Sequence, residues 1–402
     1  MKKRLFSLLL AVVFLCLFCL TALAGPAEDR IGETNSSSCI ALDMDTGEEL
    51  YAFRPDNIMA PASTAKIMSA LLVLEAIDRG ELSLTDEFTI EEAMLEAVPD
   101  DASRMSQPLQ DGETVTIEDL LYAHLLASDC MASQVLAYAM GFTPEEFAAQ
   151  MTSRAEELGC EHTTFTNPSG YPDEAMLTSA RALALIALEC MKNETFRTIV
   201  GTVSYTIPAT NLSDERELTN TNRLLSETIP GEADEETGEA GQLSNDNYYP
   251  YAIGIKTGSS TPSGQCLISA MEKDGRRILI VLLGARMQEF DDGTVSWPQY
   301  TETIRVADTL FELFEEKDAV QEELDTRTAA VLAASDRYAA ELSAVHDRDA
   351  GLQTEIQDAS AFLEQAKVRL PYAAAALAVL LLLLIPSGLF GRKNSRGSDT
   401  KS

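Results

Sequence analysis

The sequence predicts an α+β domain, one antiparallel sheet with a helical subdomain, followed by a long helical stalk and one C-terminal transmembrane helix. Three observations carry this. Strand-like runs lie at both ends of the first 317 residues, with helical runs between them. Beyond Glu315 glycine nearly vanishes, charge becomes dense, and apolar residues fall on an alternating three–four spacing. Pro371 to Phe390 is uncharged and apolar, rich in Ala and Leu.

Taken in order, residues 1–24 read as an export signal. Lys2, Lys3 and Arg4 precede an apolar run from Leu5 to Leu20, and Ala22-Leu23-Ala24 is a small-x-small cleavage site. The domain that follows, 25–317, is expected outside the cytoplasm. Residues 39–53 read as a hairpin about the turn Asp45-Thr46-Gly47. A helix opens near Ala62, after Pro61, and continues from Ile67 to Asp78 with Gly80 as its stop. Thr116-Ile117-Glu118-Asp119 has the form of a capping box and starts a helix carrying Leu120, Leu121, His124 and Leu125. That helix breaks at Ser128-Asp129-Cys130. Further helices are expected over residues 131–140, 143–158 and 179–192.

Phe165 to Pro172 is rich in turn residues, and 226–249 reads as an inserted acidic surface loop. Strands are expected over 251–257, 265–271 and 277–283. The last two are joined by a turn at Lys273-Asp274-Gly275-Arg276. A helix over 301–314 closes the domain. The stalk occupies 318–370, where Leu324, Val331, Tyr338, Leu342 and Val345 share one face and offer a surface for self-association. The span 371–390 is long enough to cross a bilayer. Arg392, Lys393, Arg396 and Lys401 place the tail, 391–402, in the cytoplasm. The expectation is a single-pass protein of the cell membrane with its domain outside.

The formal net charge of −34, with a pI near 4.3, argues against nucleic acid as a partner, because phosphate binding needs a basic face. Of the cysteines, Cys16 and Cys19 fall in the signal. Cys39, Cys130, Cys160, Cys190 and Cys266 are odd in number and widely spaced, which suits buried small hydrophobes better than a zinc site or disulfide scaffold. His124, His162 and His346 sit in unrelated contexts. Nothing calls for a metal or a cofactor.

Chemistry concentrates in three stretches. Ser63 and Lys66 lie three residues apart at a helix start, so both side chains project from one face. A serine hydroxyl needs a nearby base near neutral pH, and a lysine serves if burial lowers its pKa. Ser128 sits at the break between two helices, where its hydroxyl can point into a cleft. Lys256-Thr257-Gly258 ends a strand and is followed by Ser259. An ammonium, a hydroxyl and a glycine permitting close approach suit an extended peptide that ends in a carboxylate.

With these motifs the sequence resembles the serine D-Ala-D-Ala carboxypeptidases, the low-molecular-mass penicillin-binding proteins, from about Ser37 to Phe314. The pairing of Ser-x-x-Lys with Lys-Thr-Gly is a known signature of penicillin-binding proteins and β-lactamases. The likeness also includes Phe165-Thr166-Asn167-Pro168, Asn220-Thr221-Asn222-Arg223 and Gly254-Ile255 ahead of Lys256. It implies a β-lactamase/transpeptidase-like fold in which Ser63 attacks the carbonyl between two D-alanines of a peptidoglycan stem peptide. An acyl-enzyme forms and water releases it. Lys66 would be the general base, and Ser128 would relay the proton to the leaving amine. Lys256 and Thr257 would hold the terminal carboxylate, with Gly258 and Cys130 beside the substrate. The N–H groups of Ser63 and Ser259 would form an oxyanion hole. β-Lactams would be covalent inhibitors.

The sequence departs from the family pattern in four places. Cys130 replaces an asparagine, Ser169 a histidine, Ala182 an aspartate and Ile253 an acid. Two other readings follow. A β-lactamase-like hydrolase would need a second carboxylate, with Glu161 in about the right region. A catalytically impaired wall-binding homologue would explain Cys130 and Ala182.

Overall fold

The strand-like runs from the two ends of the domain meet in one sheet. In the computed structural model, residues 25–96, 98–233, 240–289, 295–346 and 353–383 are described. The expected signal, 1–24, and the basic tail lie outside them. The chain divides into a unit spanning Pro26–Phe311 and a second comprising Met1–Gly25 and Glu312–Ser402.

The first unit contains strands β1 (Ser38–Asp43), β2 (Glu49–Phe53), β3 (Ala252–Ser260), β4 (Gly264–Lys273) and β5 (Arg276–Ala285). Their order is β2-β1-β5-β4-β3, and every neighbouring pair is antiparallel. Ile40 of β1 lies opposite Val281 of β5. The run from Ile278 to Leu283 is apolar throughout because β5 is flanked by β1 and β4 and buried on both faces. β3 and β2 are the edges. The expected α+β class and antiparallel sheet are both found.

The helical subdomain consists of α1 (Lys66–Asp78), α2 (Ile117–Leu125), α3 (Cys130–Ala139), α4 (Pro144–Glu157), α5 (Ala180–Cys190) and α6 (Glu194–Gly201). The capping box before α2 forms as expected: Asp119 N–H donates to Thr116 Oγ1 at 3.1 Å, and Thr116 N–H to Asp119 Oδ2 at 3.3 Å. Thr143 and Glu146 make a second box ahead of α4. α1 is buried around nearly its whole circumference and touches each of the other five helices, which explains why its sequence lacks a polar stripe. It is the central post of the subdomain, and its N-terminus faces the sheet edge. The five cysteines of the described residues are free and buried, as expected.

Three expectations need correction. Residues 226–249 are not a plain loop, since Thr228–Ala233 pairs with Ala240–Ser244 as a two-stranded ribbon that satisfies its own backbone. The closing helix does not end at Phe314. It runs as α7 from Pro298 to His346, because no glycine or proline interrupts residues 299–346. The stalk over 318–370 is not one rod either: α7 is followed by α8 (Gln353–Leu383), and Lys367 Nζ of α8 lies 3.7 Å from Asp336 Oδ1 of α7. Pro371 lies inside α8. Among the described residues, no helix is long and apolar enough to cross a membrane. The remainder of the apolar span, from residue 384, lies outside the described residues.

Candidate active site

The turn before α1 sets the first distances. Ala62 takes φ +50°, a left-handed value that is strained for a residue with a Cβ. The chain then makes a 3-10 turn over Ala62–Ala65, closed by Thr64 Oγ1 donating to Pro61 O at 2.6 Å. The helix start expected at Ala62 is thus a tighter turn, and α1 proper begins at Lys66. Residues three apart eclipse in such a turn. Lys66 Nζ accordingly lies 3.2 Å from Ser63 Oγ.

Lys66 is fully buried. Its amine donates to Ser169 O at 2.6 Å and lies 3.6 Å from Cys130 Sγ. Burial pulls its pKa below the ordinary lysine value, outweighing Cys130 and Asp129, which act the other way. An uncharged amine that donates to Ser169 O and Cys130 Sγ keeps its lone pair for the Ser63 hydroxyl.

The carbonyl of Ser169 is positioned by the turn-rich loop. Asn167 Oδ1 accepts from Ser169 N at 3.2 Å, Ser169 Oγ at 3.0 Å and Tyr171 N at 3.1 Å. Between them Gly170 has φ +76°, and a Cβ there would sit 1.9 Å from Ala62 O. Loop and turn are therefore in backbone contact, which only glycine permits.

Ser128, with φ +60°, lies at the break expected between α2 and α3. Asp129 caps α3, accepting from Ala132 N and Met105 N, each at 2.7 Å. Ser128 makes no hydrogen bond to Lys66 among the described residues. Of this motif, the Cys130 thiol is the group that reaches the amine.

His124 was assigned no role from the sequence, yet it stands directly behind the site. It is fully buried, with Nε2 2.9 Å from Lys66 O and Nδ1 2.9 Å from Ser133 Oγ. A carbonyl can only accept, so Nε2 carries the proton, while Ser133 Oγ beside Nδ1 in turn donates to Asp129 O at 2.8 Å. Burial is the main cause of a pKa lowered from 6.5 to about 3, with Lys66 adding to it. The unfolded chain therefore takes up a proton between pH 6.5 and 3 that the folded chain refuses, so stability falls as pH falls through that window. Urea denaturation of wild type should show roughly 3 kcal/mol lost from this group between pH 7 and 4. In His124→Gln that part of the pH dependence should be missing; an unchanged slope would show that His124 is not held neutral.

The edge strand β3 completes the arrangement. A Cβ on Gly258 would lie 3.1 Å from Thr64 N and Thr64 Cγ2, so the strand passes against the Ser63 turn as the close-approach glycine suggested. Lys256 is buried and donates to Thr257 O at 3.0 Å. Its pKa is well below the usual value, first through burial and then through the neighbouring positive charge of Lys66. Thr257 Oγ1 is 2.6 Å from Thr221 Oγ1, a partner assigned no role from the sequence, although the Asn220-Thr221-Asn222 run had been singled out. Ser259 is exposed on the strand and accepts from Gln265 Nε2 at 2.9 Å. The structure thus gathers Ser63, Lys66 and Cys130 by direct contact and brings Gly258 against the same turn. Glu161 is exposed, and Ala182 is a buried position in α5 whose N–H donates to Ser179 Oγ.

An alcohol one turn from a buried amine, beside an edge strand bearing a second buried lysine, defines a serine acyl-transfer site that uses lysine in place of histidine. Residues 24–287 match the family profile described as D-alanyl-D-alanine carboxypeptidase. The chain is 31% identical over 285 residues to D-alanyl-D-alanine carboxypeptidase DacF of Bacillus subtilis, covering 70% of this chain and 66% of that protein. It is 32% identical over 256 residues to the D-alanyl-D-alanine carboxypeptidase of Streptomyces sp. strain K15, covering 61% and 79%. The crystal structure of the Streptomyces K15 DD-transpeptidase superimposes with TM-score 0.58 at 28% identity, over 70% of this chain and 98% of that one. A variant of that enzyme with asparagine in place of a cysteine matches similarly, with TM-score 0.57. The chain belongs to the D-alanyl-D-alanine carboxypeptidase family, and is a serine peptidase.

Proposed function

We propose that the protein removes the terminal D-alanine from peptidoglycan stem peptides through an acyl-enzyme on Ser63, and that β-lactams acylate the same hydroxyl. One observation carries the assignment of roles: Ser63 Oγ lies 3.2 Å from the amine of a fully buried Lys66. The substrate's terminal carboxylate docks at Lys256 and Thr257. Its negative charge restores the ammonium form that burial disfavours in Lys256. The scissile carbonyl then lies over Ser63, with the N–H groups of Ser63 and Ser259 facing the developing oxyanion. Lys66 takes the Ser63 proton, Ser128 passes a proton to the departing D-alanine amine, and water cleaves the ester. Cys130 stands at the side of the amine, where its thiol is a weak hydrogen-bond partner.

A β-lactamase reading is less well supported, because the hydrogen-bond partners of Lys66 are Ser63, Cys130 and Ser169, none of them a carboxylate. In this proposal residues 1–24 direct export, 371–390 anchor the chain in the membrane, and the stalk helices hold the domain away from the bilayer or pair between copies. The charge pattern at both ends of the sequence supports that reading. The function is tested by D-alanine release from a stem pentapeptide, wild type beside Ser63→Ala. Release by wild type and none by the variant is expected. Equal release by both would remove Ser63 from the chemistry.

A further inference from the structure

The first turn of α7 is tied to the substrate strand by two parallel hydrogen-bond chains. The Tyr300 hydroxyl donates to Thr221 O at 3.1 Å, and Thr221 Oγ1 lies 2.6 Å from Thr257 Oγ1. Gln299 Nε2 donates to Gln265 Oε1 at 3.3 Å, and Gln265 Nε2 to Ser259 Oγ at 2.9 Å. Adjacent residues of α7 thus reach, through one intermediate each, two hydroxyls of β3. Side chains alternate along a strand, so Thr257 and Ser259 share one face.

Both α7 side chains are enclosed, each at 3% exposure. Gln299 Oε1 has no partner among the described residues, so this buried amide bonds through its Nε2 alone, to Gln265. Leaving a buried amide carbonyl unmet costs stability that an apolar side chain would not. Burial raises the Tyr300 pKa, so the phenol keeps the proton it donates to Thr221 O. The Thr221 N–H is held as well, donating to Leu126 O at 3.1 Å. Two residues on, the Arg223 guanidinium lies 4.5 Å from the centroid of the Trp297 ring, just ahead of α7.

The donor directions follow from the ligand. A carboxylate can only accept, so Thr257 must donate to it and accept from Thr221. Ser259 already accepts from Gln265, which leaves its own proton free on the same face.

We propose that Gln299 and Tyr300 are positioning residues for the substrate's terminal carboxylate. Tyr300, through Thr221, aims the Thr257 hydroxyl, and Gln299, through Gln265, aims the Ser259 hydroxyl. The proposal rests on the carboxypeptidase reading and adds to it what makes these hydroxyls selective for an anionic chain end.

The test compares Nα,Nε-diacetyl-L-lysyl-D-Ala-D-Ala with the same peptide as its C-terminal amide, by release of D-alanine or D-alaninamide. Wild type should favour the acid by about tenfold or more in kcat/KM, the scale of a hydrogen bond to a charged group. Tyr300→Phe and Gln299→Met should each lower kcat/KM for the acid about fivefold, mainly through KM, and leave the amide within about twofold. Thr221→Val keeps the carbonyl that Tyr300 bonds but removes the hydroxyl, and should lose the same preference. The ratio of the two rates on one preparation does not depend on the folded fraction, so a poorly folding variant still reports. Equal losses on acid and amide would mark a merely structural role and overturn the proposal, as would an unchanged preference in the variants or none in wild type. Failure of the carboxypeptidase reading looks different: wild type would cleave neither peptide, and the proposal would fall with it.

Discussion

Replacing Lys66 by alanine should slow acylation of Ser63 by fluorescent penicillin about a thousandfold or more, the scale of losing a positioned general base. The argument is local. Lys66 Nζ is the side-chain base within hydrogen-bonding distance of Ser63 Oγ, at 3.2 Å, and its burial favours the uncharged form that can accept a proton. His124 is kept neutral, but it faces the Lys66 backbone carbonyl and so cannot take over. Labelling should be followed over time alongside thermal unfolding. Acylation within tenfold of wild type in a folded Lys66→Ala protein would contradict the assignment.

Gly170→Ala should be nearly as damaging, although it removes no reactive group. The added methyl would lie 1.9 Å from Ala62 O, and φ at this position is +76°. Neither the loop backbone nor the turn can accommodate it in place. A loss of about 3 kcal/mol or more is expected from overpacking and backbone strain together. Because the Ser169 carbonyl and the Ser63 turn move with it, acylation should fall at least a hundredfold. Gly275→Ala is the control: φ is similar at +75°, but the methyl meets no atom within 4 Å, so only about 1 kcal/mol of backbone cost is expected. Denaturant titrations of the two variants separate the contact from the conformational preference. Equal losses would show that the approach to Ala62 is not tight.

What the sequence revealed and what it hid have physical reasons. Ser63 and Lys66 were legible because three-residue spacing at a helix start is local geometry. The sheet was legible from alternation at Cys39–Phe53 and from the apolar run of β5, which marks a strand covered on both faces. The contacts that set the amine's environment were not legible. Ser169 O, Cys130 Sγ and the Lys66 carbonyl bonded by His124 join segments 58 to 103 residues apart. His124 did carry a faint signal, a lone imidazole among Leu120, Leu121 and Leu125 in a buried helix. The stalk misled for the opposite reason. A regular three–four spacing does not show how a long helical stretch divides into α7 and α8.

The most direct test is the pH dependence of Ser63 acylation, read by mass spectrometry of the Ser63 peptide after brief exposure to benzylpenicillin. A lysine whose pKa lies below 10.5 is increasingly uncharged at a lower pH than in free solution. The adduct should therefore form on Ser63 at a rate that climbs with pH, with a midpoint clearly below 10.5. An adduct on another residue, or a midpoint at the value of a solvated lysine, would contradict a buried amine acting on Ser63.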